Sequence, residues 1–148
     1  MPPLRKVGPF KLIEELADGS SGTTLWRARN SKGEEVALKL IPKPRDEQAL
    51  RKTKGYFDDE VEAGKTLKGP HIRALLSSGE IADARFLHYR YGAFYLALEL
   101  VEFGSLRDLL HQRALEAEEI RDLVVAVARG LVEAHSHEPA ICHRDLKP

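Results

Sequence analysis

The chain of 148 residues is long enough for one domain with a sizeable core, and its 43% hydrophobic and 31% charged residues describe a folded soluble protein, not a disordered tail. Its 23 basic and 23 acidic residues cancel, which excludes a general attraction to nucleic acid or to an anionic membrane. No apolar run approaches the roughly 18 residues of a membrane helix, the start lacks a signal peptide's apolar core, and the lone Cys142 excludes an intrachain disulfide; a cytoplasmic setting is expected.

Strands are predicted over 10–17 and 23–30, joined by the turn DGSSG, and over 35–41 after a second turn, NSKGE. Pro42 and Pro44 stop the third strand, because proline cannot donate to a ladder. A helix over 56–68 follows, closed by Gly69-Pro70. HIRALLSSGEIA and the polar and aromatic residues after it give no element, whereas the apolar run AFYLALELV, 93–101, reads as a buried strand. Beyond EFGS the pattern turns helical, with a short helix over 105–112 and a long one over 118–135. Strands with one helix, then helices, make an α+β pattern whose change of character near 102–104 marks a junction of two lobes.

Lys39 lies in a strand that is apolar on both faces, with Val36, Leu38 and Leu40 pointing one way and Ala37, Lys39 and Ile41 the other. An aliphatic stem carrying its ammonium to water would explain it. Glu60 adds a second reading. It falls within the helical stripe of Phe57, Val61, Gly64 and Leu67, where a carboxylate needs a cation or must take up a proton. Lys39 is the natural partner, although a stray charge at a helix edge remains open. In LADGSSGTT, Gly19 and Gly22 allow close backbone approach to a phosphate, or form an ordinary hairpin loop.

CHRDLKP gathers Cys142, His143, Arg144, Asp145 and Lys147, and an aspartate beside a cation stays ionised and can accept a hydroxyl proton. His135, His137, Cys142 and His143 have no familiar zinc spacing, and RFLHYRY, 85–91, alternates as a half-exposed strand does as well as a single-strand nucleic-acid binder. Cys142 is expected to be a small core residue. The long helix carries one stripe, Ile120, Leu123, Val124, Val127 and Leu131, with Val125 and Val132 off it, so it calls for neighbours on more than one side.

Together, VALK, Glu60, LALELVEFGSL and HRDLKP resemble a protein kinase of the eukaryotic, serine/threonine type, and the match runs over nearly the whole chain. The resemblance implies ATP and Mg²⁺ as cofactors and a protein substrate bearing the acceptor hydroxyl, with no nucleic-acid partner. It makes Lys39 the lysine on the α- and β-phosphates and Glu60 its partner. Gly19 and Gly22 belong to the phosphate loop, and Leu25 and Ala37 cover the adenine faces. Leu98 is the gatekeeper, and the backbones of Glu99 and Val101 bond the adenine. Asp145 is the catalytic-loop base and Lys147 steadies the transferred phosphoryl group. The implied fold is a small lobe over 10–98, a hinge over 99–104 and the first helices of a larger lobe over 105–148.

Two departures stand out. Ala17 replaces the first loop glycine, and the stretch 16–28 is one residue longer than the family pattern, which leaves the pairing of Gly22, Thr23 and Leu25 with that pattern open. The family's metal-binding asparagine and DFG segment would fall past Pro148, so the chain reads as the N-terminal part of a kinase domain, inactive alone. A pseudokinase scaffold and a small-molecule phosphotransferase of related fold are the rival readings.

Overall fold

EVALKLIP has no polar face to turn toward water, and the chain buries it in the middle of a sheet. The structure is a computed structural model that describes residues 6–82, 88–102, 104–143 and 146. Its sheet contains β1 (Lys6–Val7), β2 (Phe10–Asp18), β3 (Thr24–Arg29), β4 (Glu35–Pro42), β5 (Leu75–Ile81) and β6 (Ala93–Leu98). The order is β1-β2-β3-β4-β6-β5, and every neighbouring pair is antiparallel. Helix α1 (Glu47–Thr66) links β4 to β5, and α2 (Leu106–Gln112) and α3 (Ala117–His135) follow. None of the helices among the described residues is long and apolar enough to cross a membrane.

The chain divides into two compact units, Met1–Lys65 with Ala74–Leu100, and Thr66–Arg73 with Val101–Pro148. In the first, the alternation of β4 separates two apolar clusters. Val36, Leu38 and Leu40 join Phe10, Leu12, Ala28, Tyr89 and Ala97. Phe94 and Leu96 join Phe57 of α1, with Ile41, Leu50, Val61, Leu75 and Leu98 around them. The Phe57 and Phe94 rings stack with centroids 4.8 Å apart.

Helix α1 begins well before residue 56. Asp46 starts it: its side chain accepts from the Ala49 N–H at 2.8 Å and its carbonyl from Leu50 N–H at 2.8 Å. The first turns, EQALRKTKG, consist mainly of good helix formers with few apolar residues, so they carry propensity without a stripe. Strand β5 is likewise new. Its Ser-Ser-Gly centre shows no apolar alternation, but an edge strand paired only with β6 needs little. Strand β6 ends at Leu98, not 101; just past it the Glu99 N–H still donates to the Ala74 carbonyl at 2.9 Å.

The second unit relies on local polar devices. Ser105 caps α2, accepting from the Asp108 N–H at 3.2 Å while its own N–H donates to Asp108 at 2.7 Å. These bonds from Ser105 hold the Asp108 carboxyl below its ordinary range. Arg113, just past α2, grips Glu119 in the first turn of α3 through two bonds of 2.7 and 2.6 Å. The Glu116 N–H donates to the same carboxylate at 2.9 Å. Helix α3 leaves Ile120, Val124, Val125, Val127 and Val132 exposed.

Two glycines of α1 should respond to alanine with opposite signs. A Cβ at Gly64 would lie 2.8 Å from the Leu75 Cβ, which is bonded to the backbone and cannot swing away, whereas Gly55 has nothing within 4 Å. Gly64→Ala is expected to destabilise by about 1–3 kcal/mol. Gly55→Ala should stabilise by roughly 0.5–1 kcal/mol through the unfolded chain's lost freedom. Urea unfolding of the two variants beside the parent checks both signs.

Arg113 and the Glu116 amide hold the Glu119 carboxyl down, from 4.5 to about 2. A depressed folded value means stability that is present above pH 4.5 and lost as pH falls through about 2. The stability gap between Glu119→Gln and the parent should therefore be level from pH 7 to 5 and close between pH 4.5 and 2, which denaturation at a series of pH values would show.

Candidate functional site

The β4 register fixes Lys39. It stands opposite Leu25 of β3 and Leu96 of β6, and Ala37 stands opposite Leu98, so Leu25, Ala37, Lys39 and Leu98 share one face of the sheet. On that same face lies α1, seated by Phe57 against Phe94. Glu60 comes one helical step after Phe57, and the Lys39 ammonium donates to both of its carboxylate oxygens at 2.8 Å. The sequence expectation that these two face each other holds in the geometry.

Its premise needs correction. The Glu60 side chain is 43% exposed and that of Lys39 is 30% exposed, so burial does not force the carboxylate onto a cation. Glu60 lies at the rim of the stripe, beyond the buried Phe57, and the ion pair forms in partial contact with water. A Lys ammonium has three donors; two go to Glu60, and the third can meet a further oxygen.

The turn between β2 and β3 contains a single 3-10 turn, Ser20–Gly22. Its backbone crosses into positive φ at Ser21 (60°) and Gly22 (74°), and the Gly19 N–H closes onto the Thr23 carbonyl at 2.7 Å. Gly22 therefore needs to be glycine for its conformation. Ala17, where the family has glycine, is an exposed residue of β2 paired with Leu25, and its φ is not positive; no glycine is needed there. Ala37 is fully buried, so a planar ligand would reach it only if a neighbouring side chain moved. At the end of β6 the Glu99 N–H is engaged by the Ala74 carbonyl. Val101 is half-exposed.

Asp145 and Lys147 lie outside the described residues, as do residues 85–87 of RFLHYRY. Cys142 is exposed, contrary to the expectation of a core position. In the short segment after α3, Ile141 takes the partly buried place, its N–H bonded to the Ala134 carbonyl at 3.0 Å, and the next side chain points out. Two cavities of about 420 and 370 Å³ flank the turn at Asn30 and Ser31, with no wall contributed by Lys39 or Glu60.

Sequence reasoning missed Tyr89. Only 7% exposed, it packs in the Leu38 and Leu40 cluster and donates its hydroxyl to the Gly22 carbonyl at 2.6 Å. Burial pushes its phenol up, which keeps the proton on the donor. Sixty-seven residues of sequence separate the partners, and no local spacing signals such a bond.

The sequence pattern of the protein kinase domain matches residues 10–148. The chain belongs to the protein kinase domain family. Among similar proteins, calcium/calmodulin-dependent protein kinase type 1B of Rattus norvegicus is 30% identical over 139 residues, 94% of this chain and 36% of that protein. The serine/threonine-protein kinase AfsK of Streptomyces coelicolor is 30% identical over 145 residues, 97% of this chain and 16% of its own length. A receptor-like serine/threonine-protein kinase of Arabidopsis thaliana is 32% identical over 148 residues, 97% of this chain and 21% of its own length. The chain thus spans about a third or less of these relatives.

In this kinase-family chain the Lys39–Glu60 pair is displayed by the fold more than it sustains it. A partly exposed ion pair is worth about 0–1 kcal/mol. Glu60→Gln should change unfolding stability by less than about 1 kcal/mol, whereas Phe57→Ala, one step away on α1, should cost roughly 3–5 kcal/mol. Denaturant titrations of both variants give the comparison.

Proposed function

We propose that the protein containing these residues transfers the γ-phosphoryl group of ATP to serine or threonine hydroxyls of a protein substrate. The observation that carries this reading is the Lys39–Glu60 pair, an ammonium fixed on a central strand with a donor left for an anion, on the face it shares with Leu25 and Ala37. The serine/threonine kinase names of the similar proteins support the same chemistry. In this reading Lys39 neutralises charge on the α- and β-phosphates, and the backbone of the turn that contains Gly19 and Gly22 approaches the phosphate chain closely. The Glu99 carbonyl and the Val101 N–H bond the adenine edge between Leu25 and Ala37.

Asp145 accepts the proton of the attacking hydroxyl and orients it, and Lys147 steadies the group in transit. The residues fit the nucleotide by donor chemistry. Mg²⁺ would supply charge neutralisation at the β- and γ-oxygens when bound. Among the described residues no three His, Cys, Asp or Glu side chains gather to hold it, and no step here is routed through it. We place the protein's action in the cytoplasm. A scaffold without turnover rests on the altered glycine loop, and retention of Lys39, Glu60 and Asp145 speaks against it.

Calorimetry with ATP and with adenosine tests the site. The chain should bind both weakly, and Lys39→Met should weaken ATP roughly ten-fold or more, the worth of a charged hydrogen bond, while leaving adenosine unchanged. Equal losses for both ligands would place Lys39 away from the phosphates. In a phosphotransfer assay on the full-length protein, Asp145→Asn should abolish incorporation into serine and threonine peptides. Absence of incorporation in the parent as well would favour the scaffold, and transfer only to small molecules the other phosphotransferase.

A further inference from the structure

We propose that Tyr89 is a positioning residue for the glycine turn: by holding the Gly22 carbonyl, its hydroxyl fixes the peptide plane that aims the Thr23 amide at a bound phosphate. The identity of the ligand rests on the nucleotide reading above; the clamp itself does not.

The turn alone leaves this plane undetermined. Its near end is set by the Asp18–Thr24 and Ala17–Leu25 pairs of the β2–β3 ladder and by the Gly19 N–H on the Thr23 carbonyl. The plane between residues 22 and 23 turns with the ψ of Gly22 and the φ of Thr23, and glycine admits more than one value cheaply. A hydroxyl anchored elsewhere in the fold can choose one orientation, and Tyr89 is so anchored, its ring buried beside Leu38 and Leu40.

The hydrogen-bond chain that reaches the carbonyl runs in one direction only. Trp26 Nε1 can only donate, and does so to Thr24 Oγ1 at 2.9 Å. Tyr89 has one proton, spent on the Gly22 carbonyl at 2.6 Å, so the 3.0 Å bond between the two hydroxyls is donated by Thr24. Every proton is used once, and such a chain strengthens its members. The Tyr89 cluster lies on the face of β4 opposite Lys39. In a trans peptide the N–H points opposite to the carbonyl, so drawing the Gly22 oxygen toward Tyr89 sends the Thr23 N–H away from it, in the sense in which Lys39 projects. The clamp thus supplies a second phosphate donor whose direction is set by a residue far along the chain.

Tyr89→Phe deletes the hydroxyl and keeps the ring. On the 148-residue chain, hydrogen exchange of the amides of 19–25 should rise while that of β4 stays level. ATP affinity should fall about five-fold, the worth of one neutral hydrogen bond, with adenosine affinity and melting temperature nearly unchanged. Thr24→Val, which breaks the chain one link earlier and leaves the Tyr89 donor in place, should shift the same readouts less. Unaltered exchange in 19–25, or parallel losses for ATP and adenosine, would overturn the assignment and reduce Tyr89 to a core residue. If the parent bound neither nucleotide, the nucleotide reading would fall, and the exchange measurement alone would still decide for or against the clamp.

Discussion

The ladder that carries β4 between β3 and β6 is the constraint on which the first unit is built. With both edges paired and both faces apolar, β4 cannot slip by one residue without turning Val36, Leu38 and Leu40 out of their cluster and Lys39 into it. Lys39 is therefore held at a point set by buried neighbours, Leu25 and Leu96 across the ladder, and not by its own charge. Helix α1 is then laid on the Lys39 face by Phe57 and Phe94, and Glu60 arrives where the helical repeat puts it. The ion pair is the outcome of packing. At its exposure it can add at most about 1 kcal/mol, and a stacked aromatic pair with its surrounding apolar cluster outweighs it several-fold.

The same strand organises chemistry on its other side. Leu38 and Leu40 bury the Tyr89 ring, and the ring carries a hydroxyl to the turn between β2 and β3. One strand thus positions a cation through one face and a backbone turn through the other. The two effects differ in kind: the cation is placed by register, which is all-or-none, and the peptide plane after Gly22 by a single hydrogen bond, which can be lost while the sheet survives. That difference makes the turn the more adjustable part of the site.

What the sequence revealed follows from how local the cause is. The short apolar run in EVALKLI, with proline after it, marks β4, and the stripe through α3 marks that helix, because each pattern lies within one element. The first turns of α1 and the whole of β5 lack an apolar period; a side-chain cap at Asp46 and a pairing partner in β6 define them, and neither is visible as a pattern. Glu60 was legible for a reason that only half applies: its position on the stripe is right, but its burial is slight. Tyr89 was hidden because its role needs residues 22 and 89 brought together by the sheet. Asp145 and Lys147 rest on the HRDLKP motif alone.

The two units hold themselves together by different physics, and this bears on what each can contribute. In the first, long-range ladder bonds and two apolar clusters fix the site residues rigidly. In the second, the described order comes largely from short-range polar contacts: the Ser105–Asp108 cap and the grip of Arg113 on Glu119 join α2 to α3 across a short connection. Such bonds set helix ends and the angle between them but bury little, and α3 keeps an apolar surface in water. Charged bonds at solvent-facing groups are also the ones that salt and acid weaken first. The first unit has exposed ion pairs as well, Glu35 with Arg27 and Arg29 among them, but the Lys39 placement rests on apolar register and does not depend on any of them.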